Sequence, residues 1–569
     1  MNGLKKFLNI VGRVGGGVLR NDGYFFVVLT ILNLPIISFA GDVQIGAINF
    51  WLGATAILLV TIATHLLPKK IRRPIQTLLI IVFAAHAVTD AFLLKKFGVP
   101  LNMDMLQIVL GTNPVEAKEF LREYVAEVKV LVPLTAFIFG LAALSLGLKK
   151  FFATRSDERL KGFAFDLLII FALPLTIYAC LAIKAPLNVA NALLSHTTPW
   201  LTVNDVRYLH DTAPIGNESK IFAAMDNQLA TEKILSDDSD IPWIIFVLGE
   251  ATDRNHMQLY GYRLPTTPHL TARYERGEIF RFTDTIACAN HTSPAMARIF
   301  TFAEKDQPMN DWYQHANLFD VVRRAGYRTV WLSNQLALGL WGNFDKYFSV
   351  RCDEKYFIGA DDAIERKVKL GGQVDGVMLP VLDELLAAPT APKNFWLIHL
   401  YGTHEKFSER YPAEFEKFSA ADEDKPDDFQ RRVTAEYDNA VLYNDFIVDE
   451  IIRRFEDKNA VVIYISDHGM EVFDGSDFAG HSVEAAGNVH MIEIPALIWA
   501  SKSFRERYPE KISALAAAVD KPYRTDWLIH AVLELMDIRT TSCDATKSII
   551  NERFDSTRPR LYNGKPYVK

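Results

Sequence analysis

Apolar positions are concentrated unevenly along this chain. Five apolar runs of roughly membrane-spanning length lie in its first part: Tyr24–Ala40, Ile48–Leu67, Ile75–Leu94, Val128–Leu148 and Phe163–Ile183. After Ala185 no such run remains, and short β-branched apolar stretches alternate with amphipathic ones. The pattern predicts strands at Ile244–Leu248, Thr329–Leu332, Phe395–Leu400, Val461–Ser466 and Ile494–Ala500. Helices are predicted at Leu318–Ala325, Asp375–Ala388 and Arg432–Phe455. Strands alternating with helices imply a largely parallel sheet sandwiched by helices. Between the two regimes, Pro186, Pro199, Pro214 and the acidic stretch Ser236–Asp240 mark a transition, read as short amphipathic helices lying on the bilayer. The expected organisation is therefore a five-helix transmembrane domain over 1–185, interfacial linker helices over 186–240 and an α/β domain over 241–569.

Basic residues orient the spans, because Lys and Arg near helix ends stay on the cytoplasmic side. Lys5, Lys6, Arg13 and Arg20 precede the first run, Lys69, Lys70, Arg72 and Arg73 follow the second, and Lys149, Lys150, Arg155, Arg159 and Lys161 follow the fourth. The turn after the first run carries only Asp42, and the long loop Phe97–Glu127 mixes charges and is broken by Pro114. An inside amino terminus, five crossings and a large outside domain follow. The first run also resembles a signal peptide, but it lacks a convincing small-residue cleavage site.

Composition narrows the class. The 569 residues are 50% hydrophobic and only 23% charged, high for a wholly soluble chain. A net charge of −7, with no basic stripe outside the loops, excludes a nucleic-acid partner. Cys180 lies in the fifth run, so Cys288, Cys352 and Cys543 allow at most one disulfide and leave one thiol over.

Candidate chemistry gathers at predicted strand ends, where α/β sheets bind ligands. Glu250 follows the strand ending at Gly249, and Asp467-His468-Gly469 follows another. Oxygen and nitrogen donors of these types suit one hard-to-borderline cation, although Asp467 could instead cap a helix. His404, His481 and His490 also fall near strand ends, each a candidate for a second metal or a phosphate-binding shell, or an ordinary polar histidine. Three hydroxyls, Thr252, Thr292 and Ser293, compete as nucleophile, and the residues themselves do not rank them. In the membrane half His86 and Asp90 share one helix face, where an interhelical hydrogen bond is the plainer reading.

Taken in order, Gly249-Glu250, Leu259-Tyr-Gly-Tyr262 with Thr266-Thr-Pro268, Glu436-Tyr-Asp-Asn439 and Asp467-His468-Gly469 resemble the motifs of bacterial phosphoethanolamine transferases. These are enzymes of the alkaline phosphatase/sulfatase superfamily that decorate lipopolysaccharide or lipooligosaccharide. Five spans followed by an exported sulfatase-like domain is that family's plan, so the resemblance covers nearly the whole chain. It implies a multi-pass bacterial inner-membrane protein, a monomer, with its catalytic domain in the periplasm. The donor would be phosphatidylethanolamine from the surrounding membrane lipids, and the acceptor a lipid A or core-sugar group of the lipopolysaccharide or lipooligosaccharide.

The resemblance points to Thr292, on the turn after Cys288, as the nucleophile that forms a phosphothreonine. It implies a catalytic Zn2+ held by Glu250, Thr292, Asp467 and His468, with a second ion left open. His404 and His481 match phosphate-side or second-metal positions. His490-Met491 before Ile494-Pro495 resembles the branch that modifies the core sugar, so His490 replaces or joins His481. Thr112 and Glu116 match the lipid or ethanolamine contacts. Ile108 stands where the family often has Asn, Met470 where it has an acidic residue, and the cysteines of the colistin-resistance branch are missing.

Three other readings remain. Thr292-Ser-Pro-Ala-Met296 lacks the C/S-x-P-x-R pattern of a true sulfatase. A phosphoglycerol transferase of the lipoteichoic-acid-synthase type shares the five-span plan and the threonine. A non-catalytic sulfatase-like membrane binding protein is the alternative from a different class.

Overall fold

The structure, a computed structural model, describes residues 2–40, 43–97, 100–101, 105–106, 109, 128–181, 194, 196–212, 218–306, 309–335, 344–358, 374–481, 488–562 and 564–569. The chain forms two compact units, a helical one that ends at Asp211 and an α/β one that begins at Thr212.

The helical unit contains α1 (Asn2–Leu32), α2 (Val43–His65), α3 (Lys69–Phe97), α4 (Val128–Thr154), α5 (Asp157–Leu181) and α6 (Thr198–Thr212). Stretches within α2, α3 and α4 are long and apolar enough to cross a membrane: Gly46–His65, Lys69–Lys95 and Thr135–Thr154. The first apolar run is not one helix. α1 stops at Leu32 and a 3₁₀ turn takes over at Leu34–Ala40, because Pro35 has no N–H to donate and disfavours helix at the residue before it. Asn33 serves the break: its side chain donates to His196 O at 3.0 Å and accepts from Thr198 N at 2.9 Å.

Two polar clusters are buried between these helices. Asp22 of α1 is fully buried, 2.5 Å from His65 and 3.2 Å from Arg72. His86 bonds Asp90 at 2.9 Å through Nδ1 and Thr202 of α6 at 2.6 Å through Nε2. Asp90 also accepts the Leu101 N–H at 2.9 Å. The His86–Asp90 pair is thus a packing clasp, the plainer of its two readings.

The α/β unit is built on a seven-stranded sheet. Its strands are β1 (Trp243–Gly249), β2 (Ile279–Arg281), β3 (Arg328–Ser333), β4 (Glu354–Phe357), β5 (Asn394–His399), β6 (Ala460–Ser466) and β7 (Ala496–Ala500), in the order β2–β7–β6–β1–β5–β3–β4. From β6 to β4 every pairing is parallel. β7 runs antiparallel to β6 and β2 antiparallel to β7, so the sheet is mixed where a largely parallel one was expected. The cause is local: the chain leaves β6 at Ser466 and comes back at the same end, with Ala496 opposite Ile465. Among the described residues, no crossover helix carries it back to start a parallel strand.

β1 is buried along its whole length, as a central parallel strand covered on both faces should be. Ile244, Phe246 and Leu248 enter one core and Ile245 and Val247 the other, each such side chain contributing about 1.5–3 kcal/mol. On the first face lie α7 (Thr292–Ile299) and α8 (Phe344–Ser349), which pack together. The second face is covered by α9 (Asp428–Arg453), which buries Val433, Tyr437, Val441, Val448 and Ile451.

Candidate active site

The ends of β1 and β6 meet because these strands are parallel neighbours, with Gly249 opposite Ser466. The residue after each strand is a carboxylate, and Asp467 N donates to Gly249 O at 3.1 Å. The turn after Glu250 is tight. Ala251 adopts φ 59°, a left-handed conformation costly for a residue with a Cβ. The Ala251 N–H donates to Asp467 Oδ1 at 3.2 Å. Gly402, at φ 56°, lies so close that a Cβ there would sit 2.6 Å from Glu250 O. Tyr437 of α9 accepts from Asp253 N at 2.8 Å and donates to Ala251 O at 3.0 Å. This gives the Glu436-Tyr-Asp-Asn439 motif a physical role: it holds the Glu250 turn.

The resulting cluster is compact. Donor atoms of Glu250, Asp467 and His468 all lie within 4.8 Å of one another and all three residues are buried. His468 Nδ1 donates to Gly469 O at 2.7 Å, which fixes the tautomer and leaves Nε2 facing Glu250 Oε1 at 3.0 Å and Asp467 Oδ2 at 3.6 Å. Asp467 Oδ2 is buried and has no hydrogen-bond partner among the described residues. Thr292, the first residue of α7, places Oγ1 3.2 Å from both carboxylate oxygens of Glu250 and 3.5 Å from His468 Nε2.

Two buried carboxylates side by side repel each other's charge. Burial, and next Glu250, raise Asp467 to about 6, while His468 and the backbone N–H of Ala251 oppose the rise. Burial also works against Glu250, but His468 outweighs it and holds Glu250 below its ordinary value. Buried anions, an imidazole nitrogen freed by its tautomer and an unsatisfied carboxylate oxygen are a donor set that fits one divalent cation of zinc type.

The other expected residues divide. The rings of His468 and His481 are 4.8 Å apart, and those of His404 and His481 6.2 Å. His404 Nδ1 and His481 Nδ1 are buried and have no hydrogen-bond partner among the described residues. Burial, with His468 and His404 nearby, keeps His481 well below its usual value and so neutral. His490 instead bonds Asp253 at 2.8 Å. Of the rival hydroxyls, Thr252 is buried and committed to Glu250 O at 3.3 Å and Thr403 Oγ1 at 3.2 Å. Thr112, Glu116 and Ile108 lie outside the described residues. Cys288, Cys352 and Cys543 are all free thiols.

Gln335 was not foreseen. Its Nε2 donates to Glu250 Oε2 at 3.4 Å and to Leu400 O at 3.2 Å. The signal is faint, a polar Ser-Asn-Gln stretch after a predicted strand, and it acquires meaning only once β3 lies next to β5.

The sulfatase family profile matches residues 242–538. Phosphoethanolamine transferase EptC of Escherichia coli O18:K1:H7 is 26% identical over 565 residues, covering 96% of this chain and 93% of that protein. The C-terminal periplasmic domain of E. coli EptC, solved in complex with Zn, is 30% identical with a TM-score of 0.53, covering 60% of this chain and 93% of that one. The integral membrane lipooligosaccharide phosphoethanolamine transferase A of Neisseria meningitidis shares the fold over 95% of this chain and 97% of its own, at a TM-score of 0.57 and 21% identity. Matched by that profile over more than half of its length, the chain belongs to the sulfatase family.

Proposed function

We propose that this protein is a membrane-anchored, zinc-dependent phosphoethanolamine transferase. It takes the phosphoethanolamine group from phosphatidylethanolamine and passes it to a lipid A or core-sugar acceptor of lipopolysaccharide or lipooligosaccharide. The observation that carries this reading is the Thr292 hydroxyl, 3.2 Å from both Glu250 oxygens and 3.5 Å from His468 Nε2, in a chain resembling EptC along nearly all its length.

Glu250, Asp467 and His468, with Thr292 as the fourth ligand, would hold the zinc ion. When bound, it supplies positive charge that eases ionisation of a hydroxyl and offsets the charge of a phosphoryl group. The protein's own part is a two-step displacement. Thr292 Oγ1 attacks phosphorus as its proton passes toward the Glu250 carboxylate, the bond to the diacylglycerol oxygen breaks, and diacylglycerol leaves carrying a proton. An acceptor hydroxyl or phosphate then attacks the phosphothreonine, and Thr292 regains its proton. His404 and His481 are assigned to the phosphoryl oxygens, Thr112 and Glu116 to the lipid or ethanolamine group. His490 is assigned to a supporting ion pair.

The same reading assigns 1–185 to five crossings of the bacterial inner membrane, 186–240 to the membrane surface and 241–569 to a monomeric periplasmic catalytic domain. The decisive experiment is intact mass spectrometry of the zinc-loaded full-length protein after incubation with phosphatidylethanolamine. A phosphoethanolamine adduct on Thr292, absent from Thr292→Ala, is expected. A glycerophosphate adduct instead would establish the phosphoglycerol transferase, and no adduct at all would leave a binding protein.

A further inference from the structure

Asp375 is 4% exposed and opens a 3₁₀ turn, Asp375–Val377, that leads into the helix Met378–Ala387. The Gly376 N–H donates to Tyr443 of α9 at 3.1 Å, which ties this turn to the helix covering the sheet's second face. The carboxylate of Asp375 collects donors from two separate strand ends. Oδ1 accepts the Tyr401 N–H at 2.8 Å and the Asn334 side-chain amide at 2.8 Å, and Oδ2 accepts the Gly402 N–H at 2.9 Å. Tyr401 and Gly402 follow β5, and Asn334 is the first residue after β3.

Both strand ends touch Glu250. After β5, Gly402 packs against the Glu250 backbone and the Thr403 N–H donates to Glu250 O at 3.0 Å. After β3, Gln335 Nε2 donates to Glu250 Oε2 at 3.4 Å, the oxygen that also lies 3.2 Å from Thr292 Oγ1. Gln335 is itself held in place: its N–H donates to Ser333 Oγ at 3.1 Å and Nε2 also reaches Leu400 O at 3.2 Å. Burying a carboxylate is costly unless hydrogen bonds satisfy it, and an apolar side chain would fill the same space without that cost. What the carboxylate adds is direction, because three converging N–H groups fix how the two turns lie against Glu250.

We infer that Asp375 is a positioning residue for the Glu250 carboxylate. It acts on the backbone through Gly402 and Thr403 and on the side chain through Asn334 and Gln335. Together these set the rotation at which the Glu250 oxygens face Thr292 and His468. A ligand aimed in advance binds its cation more tightly than one that must be ordered on binding. The inference rests on the transferase reading for its effect on phosphoryl transfer, whereas its effect on metal binding does not depend on which group is transferred.

Asp375→Asn keeps the shape but replaces one acceptor oxygen with an NH2 group. Whichever way the amide lies, at least one of the three N–H groups loses its acceptor. Gln335→Met keeps the length of the side chain and removes its bonds to Glu250 and Leu400. Both variants should bind zinc about tenfold more weakly in a chelator competition and form the Thr292 adduct about tenfold more slowly. Both should also shift the visible absorption bands of cobalt(II) bound in place of zinc, which report ligand geometry. Gln335 is only partly buried, so Gln335→Met should keep its thermal midpoint within about 2 °C of the wild type, and its lost affinity is then not lost fold.

The experiment uses the full-length protein in lipid nanodiscs, with zinc affinity, cobalt spectrum, adduct rate and thermal midpoint measured on the same preparations. Wild-type zinc affinity and cobalt spectrum in either variant would overturn the inference, even if Asp375→Asn lowers the thermal midpoint. Should Asp375→Asn not fold, Asn334→Ala, which cuts only the branch from Asp375 to the end of β3, decides by the same criteria. If the wild type forms no adduct with phosphatidylethanolamine, the transferase reading fails instead, and the zinc affinities and cobalt spectra decide the positioning claim.

Discussion

The Thr292 hydroxyl stands 3.2 Å from each carboxylate oxygen of Glu250, a residue forty-two positions earlier on a different element. The contact exists because α7 begins at Thr292 and packs on the face of the sheet from which β1 delivers Glu250. It places a hydroxyl against the one group of three metal donors that is wholly buried among the described residues.

Glu250→Gln tests that group directly. Removing one anionic ligand from a set of three buried donors should weaken zinc binding at least about tenfold. Chelator competition on the purified protein measures it, and unchanged zinc affinity would remove Glu250 from the ligand set.

Gly469→Ala should damage the same cluster without altering a donor. A Cβ at this position would lie 2.1 Å from His490 O, a backbone atom that cannot swing aside, and the His468 Nδ1 bond to Gly469 O depends on this turn. Loss of most zinc together with a lowered thermal midpoint is expected. A protein that retains both would show that the segment carrying His490 can move.

His256→Ala should be among the most destabilising single changes in the α/β unit. The ring is buried and links two carboxylates, Asp438 at 2.6 Å and Asp474 at 2.9 Å. Deleting it leaves the Asp438 charge buried with only the Tyr262 hydroxyl among these partners. Breaking such a pair costs roughly 3–5 kcal/mol, readable in denaturant unfolding of the full chain, whereas a cost below about 1 kcal/mol would mean that the network relaxes.

The His490–Asp253 pair should make stability fall on the alkaline side. Burial lowers the His490 pKa, but the Asp253 hydrogen bond raises it from 6.5 to about 9. A pKa raised by folding contributes stability that is complete below about pH 6.5 and is lost as the pH rises through about 9. The expected loss is roughly 1–3 kcal/mol over that window, seen as a pH-dependent unfolding midpoint. His490→Gln should flatten the dependence, and an equally steep dependence in that variant would assign it to another group.

Much of this protein could be read from the sequence. The apolar runs, the change of pattern after Ala185 and the short buried strands follow from hydrophobic periodicity alone, because burial on both faces of a central strand favours apolar side chains along most of it. Glu250, Asp467 and His468 were also legible, since a charged residue directly after an apolar strand falls at that strand's carboxyl end, where α/β sheets bind ligands. The apolar pattern carried the first run straight through Pro35 to Ala40, and the 3₁₀ turn that replaces helix there became visible only with Asn33 bonded to His196 and Thr198.

Other features depended on which elements lie side by side, and no local pattern encodes that. The antiparallel return of β7 along β6 follows from the chain staying at one end of the sheet after Ser466. His481 rather than His490 joins the ring group of His468 and His404, because His490 is taken by the buried charge of Asp253. Gln335 reaches Glu250 only through the order β1–β5–β3, which sets the ends of three strands side by side. Which segments are buried, and which residue types close them, is written in the local order of amino acids. Which of those closing residues share one point in space depends on strand order and helix packing, which are set by long-range burial.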